Sequence, residues 1–167
     1  QPIRFIILKA RQLGMTTLAC FLWFHLAVFR KLTRCQIIGH RLPDTKKIAA
    51  IPHLINNMLA EEHQAKCQGK KKGIGLHWEN GSWLELSTQG GESGGRGDAP
   101  TAVHATELAF WDKYRVSTDA EEVLQAYFSP VNIMPGTYLG CESTADVAAG
   151  SMYERFVDSH CGAPGLW

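Results

Sequence analysis

The sequence predicts an α/β fold in which helices cover both faces of a mainly parallel sheet, with one inserted β-hairpin. Short apolar runs rich in β-branched residues alternate with longer stretches whose apolar residues recur at helical spacing. Asn80-Gly81, between two runs of alternating apolar and polar residues, is a strong signal for a hairpin turn. The predicted order is strand, helix, strand, helix and hairpin, followed by further strands and helices.

Each predicted element follows from a local pattern. RFIIL and CQIIG are typical of buried strands. The apolar stretch that follows RFIIL is about a dozen residues long, which is shorter than the roughly 20 residues of a membrane-spanning helix. Segment 89–100 contains five glycines and is predicted to be an exposed loop. The predicted strands are 4–8, 35–39, 75–78, 82–86, 101–106 and 137–142, and the predicted helices are 18–29, 43–63, 119–128 and 148–159.

Length and composition predict a single globular domain over residues 1–167, since 45% of the residues are apolar and 20% are charged. The net charge of +1 excludes an overall basic surface for nucleic acid, although Lys70 to Lys72 form a local cluster. Five widely spaced cysteines fit neither a disulfide framework nor a zinc site. Because the chain does not begin with methionine, we expect it to be a fragment of a longer protein.

A candidate phosphate loop lies between the first predicted strand and helix. It resembles the pattern G-x-x-x-x-G-K-[ST] only in part, because Gly14 and Thr16 match while Met15 replaces the lysine. Lys9 or Arg11 could supply the missing cation, and the Thr16 hydroxyl could reach Mg²⁺. A plain strand-to-helix turn is the alternative. The candidate residues are Lys9, Ala10, Arg11, Gln12, Leu13, Gly14, Met15, Thr16 and Thr17.

Polar residues also end two later strands. Glu107 follows the apolar strand AVHAT, as a carboxylate that polarises an attacking water would. Thr106 stands where an aspartate usually holds the water shell of the metal, and its hydroxyl could do so through a hydrogen bond to metal-bound water. Ser143-Thr144 follows the next strand, at the edge where ligands of such sheets bind. Surface-turn and helix-cap roles are the alternatives for these residues.

Together, KARQLGMTT, HATELAFWD and CESTA resemble the ATPase domain of the large terminase subunit of tailed phages, a P-loop NTPase of the ASCE type. The resemblance implies that residues 9–17 bind ATP, with Thr16 and Thr106 serving Mg²⁺. It implies that Glu107 is the catalytic carboxylate and that Ser143-Thr144 couple hydrolysis to movement. Arg96, in the glycine-rich loop, is the candidate arginine finger, and a solvated loop arginine is its alternative.

The resemblance further implies a packaging motor that drives double-stranded DNA into a procapsid. Its partners would be the portal and the small terminase subunit, it would act as a homo-oligomeric ring in the host cytoplasm, and no membrane would be involved. The nuclease domain usual in that family is not expected within this chain. The rival hypotheses are a helicase-like DNA-dependent ATPase and a nucleotide-gated assembly module without hydrolysis. The second is motivated by Met15 and Thr106, which stand where a lysine and an aspartate are usual.

Overall fold

The computed structural model describes residues 3–65, 74–89, 99–111, 122, 124–126, 131, 135–145 and 151–161. The elements alternate as predicted, and two short 3-10 turns, Glu61–His63 and Leu108–Phe110, join them. The strands are β1 (Ile3–Lys9), β2 (Arg34–Gly39), β3 (Ile74–His77), β4 (Trp83–Thr88), β5 (Ala102–Thr106) and β6 (Tyr138–Thr144), and the helices are α1 (Met15–Phe29), α2 (Leu42–Met58) and α3 (Ser151–Cys161).

The six described strands form one sheet in the order β1-β6-β5-β2-β4-β3. Four pairings are parallel, and only the hairpin strand β3 runs antiparallel to its neighbour β4. The mainly parallel sheet with an inserted hairpin is therefore confirmed. Because β1, β6 and β5 are adjacent and parallel, their carboxyl ends meet at one edge of the sheet.

Two apolar clusters lie on opposite faces of this sheet. On one face, α1 and α2 pack against β2 and β4 through residues such as Trp23, Phe24 and Ile37. On the other face, Val103 and Leu139 pack against α3 and the turn after β5, where Met152 and Trp111 are buried. Side chains along a strand alternate between the faces, so each buried strand contributes to both clusters. The predicted helical cover on both faces is confirmed.

The hairpin turn is also tied to the end of α1. Gly81 has a φ of 81°, which a glycine adopts without strain. The side-chain amide of Asn80 donates to the carbonyl oxygens of Ala27 and Val28, at 3.0 and 3.1 Å. It thereby pairs carbonyl groups that the last turn of a helix leaves free. Asn80 thus shapes the hairpin and caps the C-terminus of a helix.

Several predicted boundaries differ from the structure. Strand β6 continues to Thr144, two residues beyond the predicted end, and α2 ends at Met58 instead of residue 63. Helix α2 contains Pro52 and continues past it to Met58. Most of the predicted helix 119–128 and the Lys70 to Lys72 cluster lie outside the described residues. None of the described helices is both long and apolar enough to cross a membrane.

Candidate nucleotide site

The candidate residues converge at the carboxyl edge of β1, β5 and β6. Lys9 ends β1, Thr106 ends β5 and Thr144 ends β6. The loop after β1 leads into α1, whose first turn carries Thr16 to the same edge, where its hydroxyl lies 3.3 Å from that of Thr106. The structure thus brings together three segments that are far apart in the sequence.

The loop between Lys9 and Met15 contains two residues with the left-handed backbone that occurs in anion-binding turns. Gln12 and Gly14 both adopt left-handed conformations, with φ of 63° and 70°. Such turns direct successive backbone N–H groups into one concave surface. Gly14 is the N-cap of α1 and supplies no side-chain cap, and the first turn carries no acidic residue. The positive end of the helix dipole is therefore open to an anion.

Lys9, the last residue of β1, points toward the carboxylates of Glu107 and Glu142. Its Nζ lies 2.9 Å from Glu107 Oε1 and 3.0 Å from Glu142 Oε2, and its side chain is 6% exposed. Burial lowers the pKa of Lys9, but the hydrogen bonds and charges of the two carboxylates outweigh burial and raise it above 10.5. Lys9 is therefore a fixed cation at the base of the loop, whereas Arg11 is exposed at its rim.

Glu107 adopts a left-handed backbone conformation, with φ of 55°, between β5 and the following 3-10 turn. A residue with a Cβ pays about 1 to 2 kcal/mol for this conformation. The carboxylate accepts a hydrogen bond from Lys9, and Thr144 Oγ1 lies 3.4 Å from its other oxygen. Strained residues concentrate at functional sites, where the strain fixes the direction of a side chain.

Glu142 lies at the centre of the cluster and is fully buried. The hydroxyls of Thr16 and Thr106 both donate to its Oε1, at 2.5 and 2.6 Å. Burial raises the pKa of this carboxyl, but polar and charged neighbours more than compensate and lower its pKa from 4.5 to about 2. These neighbours are His104, Thr106, Thr16 and Lys9. Glu142 is a site residue that the sequence motifs did not indicate, although a carboxylate inside an apolar strand is a signal.

Ser143 and Thr144 point to opposite faces of the sheet, because neighbouring residues of a strand alternate. Thr144 faces Glu107. Ser143 is buried on the other face, where its hydroxyl accepts a hydrogen bond from the backbone N–H of Ala109 at 3.1 Å. That contact holds the turn that follows Glu107. Thr144 therefore contacts Glu107 directly, whereas Ser143 contacts the turn that follows Glu107.

A cleft of about 540 Å³ opens beside these groups. Arg11, Thr16, Thr106, Glu107 and Thr144 line it, together with residues of α2. Ala10, Leu13, Gly14 and Thr17 are exposed. Arg96, the candidate finger, lies outside the described residues.

The oxygen atoms at this edge fit a Mg²⁺ site only if a phosphate group supplies further ligands. Among the described residues, no group of three or more His, Cys, Asp or Glu side chains is placed to hold a metal ion. Thr16 gives its only hydroxyl proton to Glu142, so its oxygen keeps lone pairs for a ligand. Mg²⁺ is usually held by one or two protein groups plus phosphates and water. Thr16 and Glu142 match that arrangement.

The sheet is mainly parallel, with a glycine-containing loop after its first strand and a carboxylate after β5. Neither a protein-family model nor a curated protein matches the sequence. Among solved structures, the large terminase of bacteriophage HK97 matches with a TM-score of 0.73 and 15% identity, over 96% of this chain and 33% of that one.

The ATPase domain of the large terminase of Thermus phage P74-26 also matches, with a TM-score of 0.54 and 14% identity. The match covers 93% of this chain and 63% of that domain, and an arginine-to-alanine mutant of the same domain gives the same TM-score. At this identity the matches show the fold alone, which is that of a large-terminase ATPase domain. The chain spans about a third of the HK97 protein.

Proposed function

We propose that this chain hydrolyses ATP with Mg²⁺ and uses the energy to move double-stranded DNA into a viral procapsid. The observation that carries the proposal is the contact of 2.9 Å between Lys9 Nζ and Glu107 Oε1, at the mouth of an anion-cradling loop. A fixed cation and a carboxylate at that position are what phosphoryl transfer requires. The likeness of the fold to two large terminases supports the motor role.

In this proposal, the loop binds the phosphates through its backbone. The N–H groups around Gln12 and Gly14 and the open N-terminus of α1 supply hydrogen bonds and positive potential. Lys9 carries three N–H donors, and its two carboxylate contacts leave the third for a phosphate oxygen. Lys9 thereby takes the role that Met15 cannot perform, and Arg11 lies at the rim for an additional contact.

Glu107 orients the attacking water in this mechanism and accepts its proton. Its contact with Lys9 keeps the carboxylate at the edge of the cleft, and Thr144 restrains the second oxygen. Mg²⁺ bound with the nucleotide would be held by Thr16, with Thr106 near its water shell, and would neutralise charge at the phosphates. Positioning and electrostatics account for most of catalysis in such reactions.

The proposed motor works as an assembly of several subunits. Ser143 and Thr144 relay the state of the nucleotide to the surface that grips DNA, and Arg96 completes the site of a neighbouring subunit. The working form is a homo-oligomeric ring in the host cytoplasm, docked on the portal and supplied with DNA by the small terminase subunit. Residues 1–167 form one ATPase domain that contains no nuclease.

The test is Mg²⁺-dependent ATP hydrolysis by the natural full-length protein, with and without DNA. Glu107→Gln keeps the size of the side chain and removes the base, so we expect turnover to fall by at least about 10²-fold while ATP still binds. Glu154→Gln, on an exposed face of α3, is the matched control and should retain wild-type turnover.

The outcomes separate the rival functions. Turnover stimulated by DNA and dependent on free DNA ends favours packaging over a helicase-like motor. Nucleotide binding without turnover, in the wild type as well as in Glu107→Gln, would replace the proposal with a nucleotide-gated assembly module. Absence of nucleotide binding would remove both.

A further inference from the structure

Thr106 and Glu142 are register partners on the neighbouring parallel strands β5 and β6. Thr106 occupies the position before the catalytic candidate Glu107, where P-loop NTPases place the aspartate that serves Mg²⁺. A threonine carries no charge for that role. Its hydroxyl instead donates to Glu142 Oε1 at 2.6 Å, so a carboxylate from the next strand fills the space beside it.

Glu142 also makes the contact that this aspartate is expected to make with the phosphate loop. Thr16 Oγ1 donates to the same Oε1 atom at 2.5 Å. A threonine hydroxyl has one proton and two lone pairs. Since the proton is committed to Glu142, the lone pairs of Thr16 are directed away from that carboxylate and are available to a cation. The Thr16 hydroxyl is thus prepared as a metal ligand by Glu142.

The burial of Glu142 supports a functional role. The side chain is fully buried, and among the described residues its Oε2 has Lys9 Nζ, 3.0 Å away, as its polar neighbour. Hydrophobic residues of similar volume often stabilise a core as well as a buried ion pair does. A buried carboxylate with an oxygen still able to accept hydrogen bonds, beside a cleft, is better explained by a ligand than by stability.

We propose that Glu142 is the acidic residue of the Mg²⁺-nucleotide site, transferred from its usual strand to the neighbouring one. It is a positioning residue: it orients the Thr16 hydroxyl and accepts hydrogen bonds from the water shell of the metal, while Thr106 supports it from β5. The inference rests on the proposed function and adds to it the residue that replaces the absent aspartate.

The experiment measures binding of a non-hydrolysable ATP analogue to the natural full-length protein in Mg²⁺ and in EDTA. Three proteins are compared: wild type, Glu142→Gln, and the exchange variant Thr106→Asp with Glu142→Thr. Glu154→Gln is the control for removal of a carboxylate elsewhere. Occupancy of the metal site is measured in parallel by electron paramagnetic resonance with Mn²⁺ in place of Mg²⁺.

In Glu142→Gln, we expect the Mg²⁺-dependent gain in analogue affinity to fall by about 10- to 100-fold, the usual effect of losing a residue that orients a metal ligand. Affinity in EDTA should stay the same or improve, because a negative charge near the phosphates is removed. The exchange variant should recover most of the Mg²⁺ gain, since the carboxylate returns to β5. If Glu142 has a merely structural role, affinity for the analogue falls equally in Mg²⁺ and in EDTA, and the exchange variant does not recover the Mg²⁺ gain.

The proposal is overturned if Glu142→Gln keeps the Mg²⁺ gain within about threefold of wild type, or if affinity falls equally in both conditions. If Glu142→Gln does not fold by circular dichroism, the exchange variant decides alone, and a missing Mg²⁺ gain in that folded variant overturns the proposal. A wild-type protein that binds the analogue and hydrolyses ATP while these results are negative leaves the proposed function standing. A wild-type protein that binds no nucleotide would rule out both the proposed function and the role proposed for Glu142.

Discussion

Lys9 and Glu107 are 98 positions apart in the sequence, yet the ammonium group of Lys9 donates to the carboxylate of Glu107 at 2.9 Å. The same lysine lies 3.0 Å from Glu142, so one cation serves two carboxylates at the end of β1. The energetics of this three-residue cluster can be measured by unfolding the protein.

Lys9→Met should destabilise the fold by about 3 kcal/mol or more, because it leaves the carboxylate of Glu142 buried without its cation. Adding Glu142→Gln should recover a large part of this loss, since the uncompensated charge is then gone. Urea unfolding of the single and double variants measures both values. Lys47→Met removes an exposed cation and should change stability by less than about 0.5 kcal/mol. A double variant no more stable than Lys9→Met would contradict the pairing.

Stability should fall in acid with a contribution from Glu142. Its pKa is lowered from 4.5 to about 2 in the fold, so its contribution is present above pH 4.5 and is lost as pH falls toward 2. The shift corresponds to about 3 kcal/mol at neutral pH. Lys9 remains charged over this range because its pKa is raised above 10.5.

Urea unfolding of wild type and Glu142→Gln at pH values between 2 and 6 measures this contribution. The stability of the variant should change less with pH, and the difference between the two proteins should shrink as pH falls. Parallel profiles between pH 2 and 5 would show that Glu142 does not carry the effect.

The conformation of Glu107 should be visible as strain. Glu107→Gly and Glu107→Ala both remove the carboxylate, but only glycine adopts a φ of 55° freely. We expect the glycine variant to be more stable than the alanine variant by about 1 kcal/mol in thermal or urea unfolding. At Glu85, within β4, the order should be reversed, because glycine weakens a strand. If the alanine variant is the more stable one at both positions, Glu107 is not strained.

The sequence was sufficient to predict the sheet, its helical cover, the hairpin at Asn80-Gly81 and the loop after β1. These features depend on local patterns of apolar residues and turn residues. The sequence also groups Lys9, Thr16 and Glu107, because the carboxyl ends of parallel strands share an edge. The structure places all three at that edge.

Glu142 could not be placed in the same way. Ser143 and Thr144 suggested that the strand had ended, whereas β6 extends through both. The partnership of Glu142 with Thr106 depends on the register of two strands that are 36 positions apart, which no local pattern encodes. The threonine in place of an aspartate was a signal that a carboxylate must come from elsewhere, but only the pairing of strands identifies which one.

Ser143 and Thr144, the proposed coupling pair, should differ in the effects of their substitution. Ser143→Ala leaves the backbone N–H of Ala109 without its acceptor and should destabilise the protein by about 1 to 3 kcal/mol. Thr144→Val removes only a long contact of 3.4 Å to Glu107, so stability should change little. Turnover should instead fall about five- to tenfold in Thr144→Val, because Glu107 loses a restraint on its second oxygen.

Urea unfolding and ATP hydrolysis by the same two preparations test this division. Ser143→Ala assayed well below its unfolding temperature should keep most of its turnover, because its side chain lies on the face away from the cleft. Loss of turnover in Ser143→Ala without loss of stability would contradict the assignment. It would mean that the buried hydroxyl acts on Glu107 through the backbone turn at Ala109.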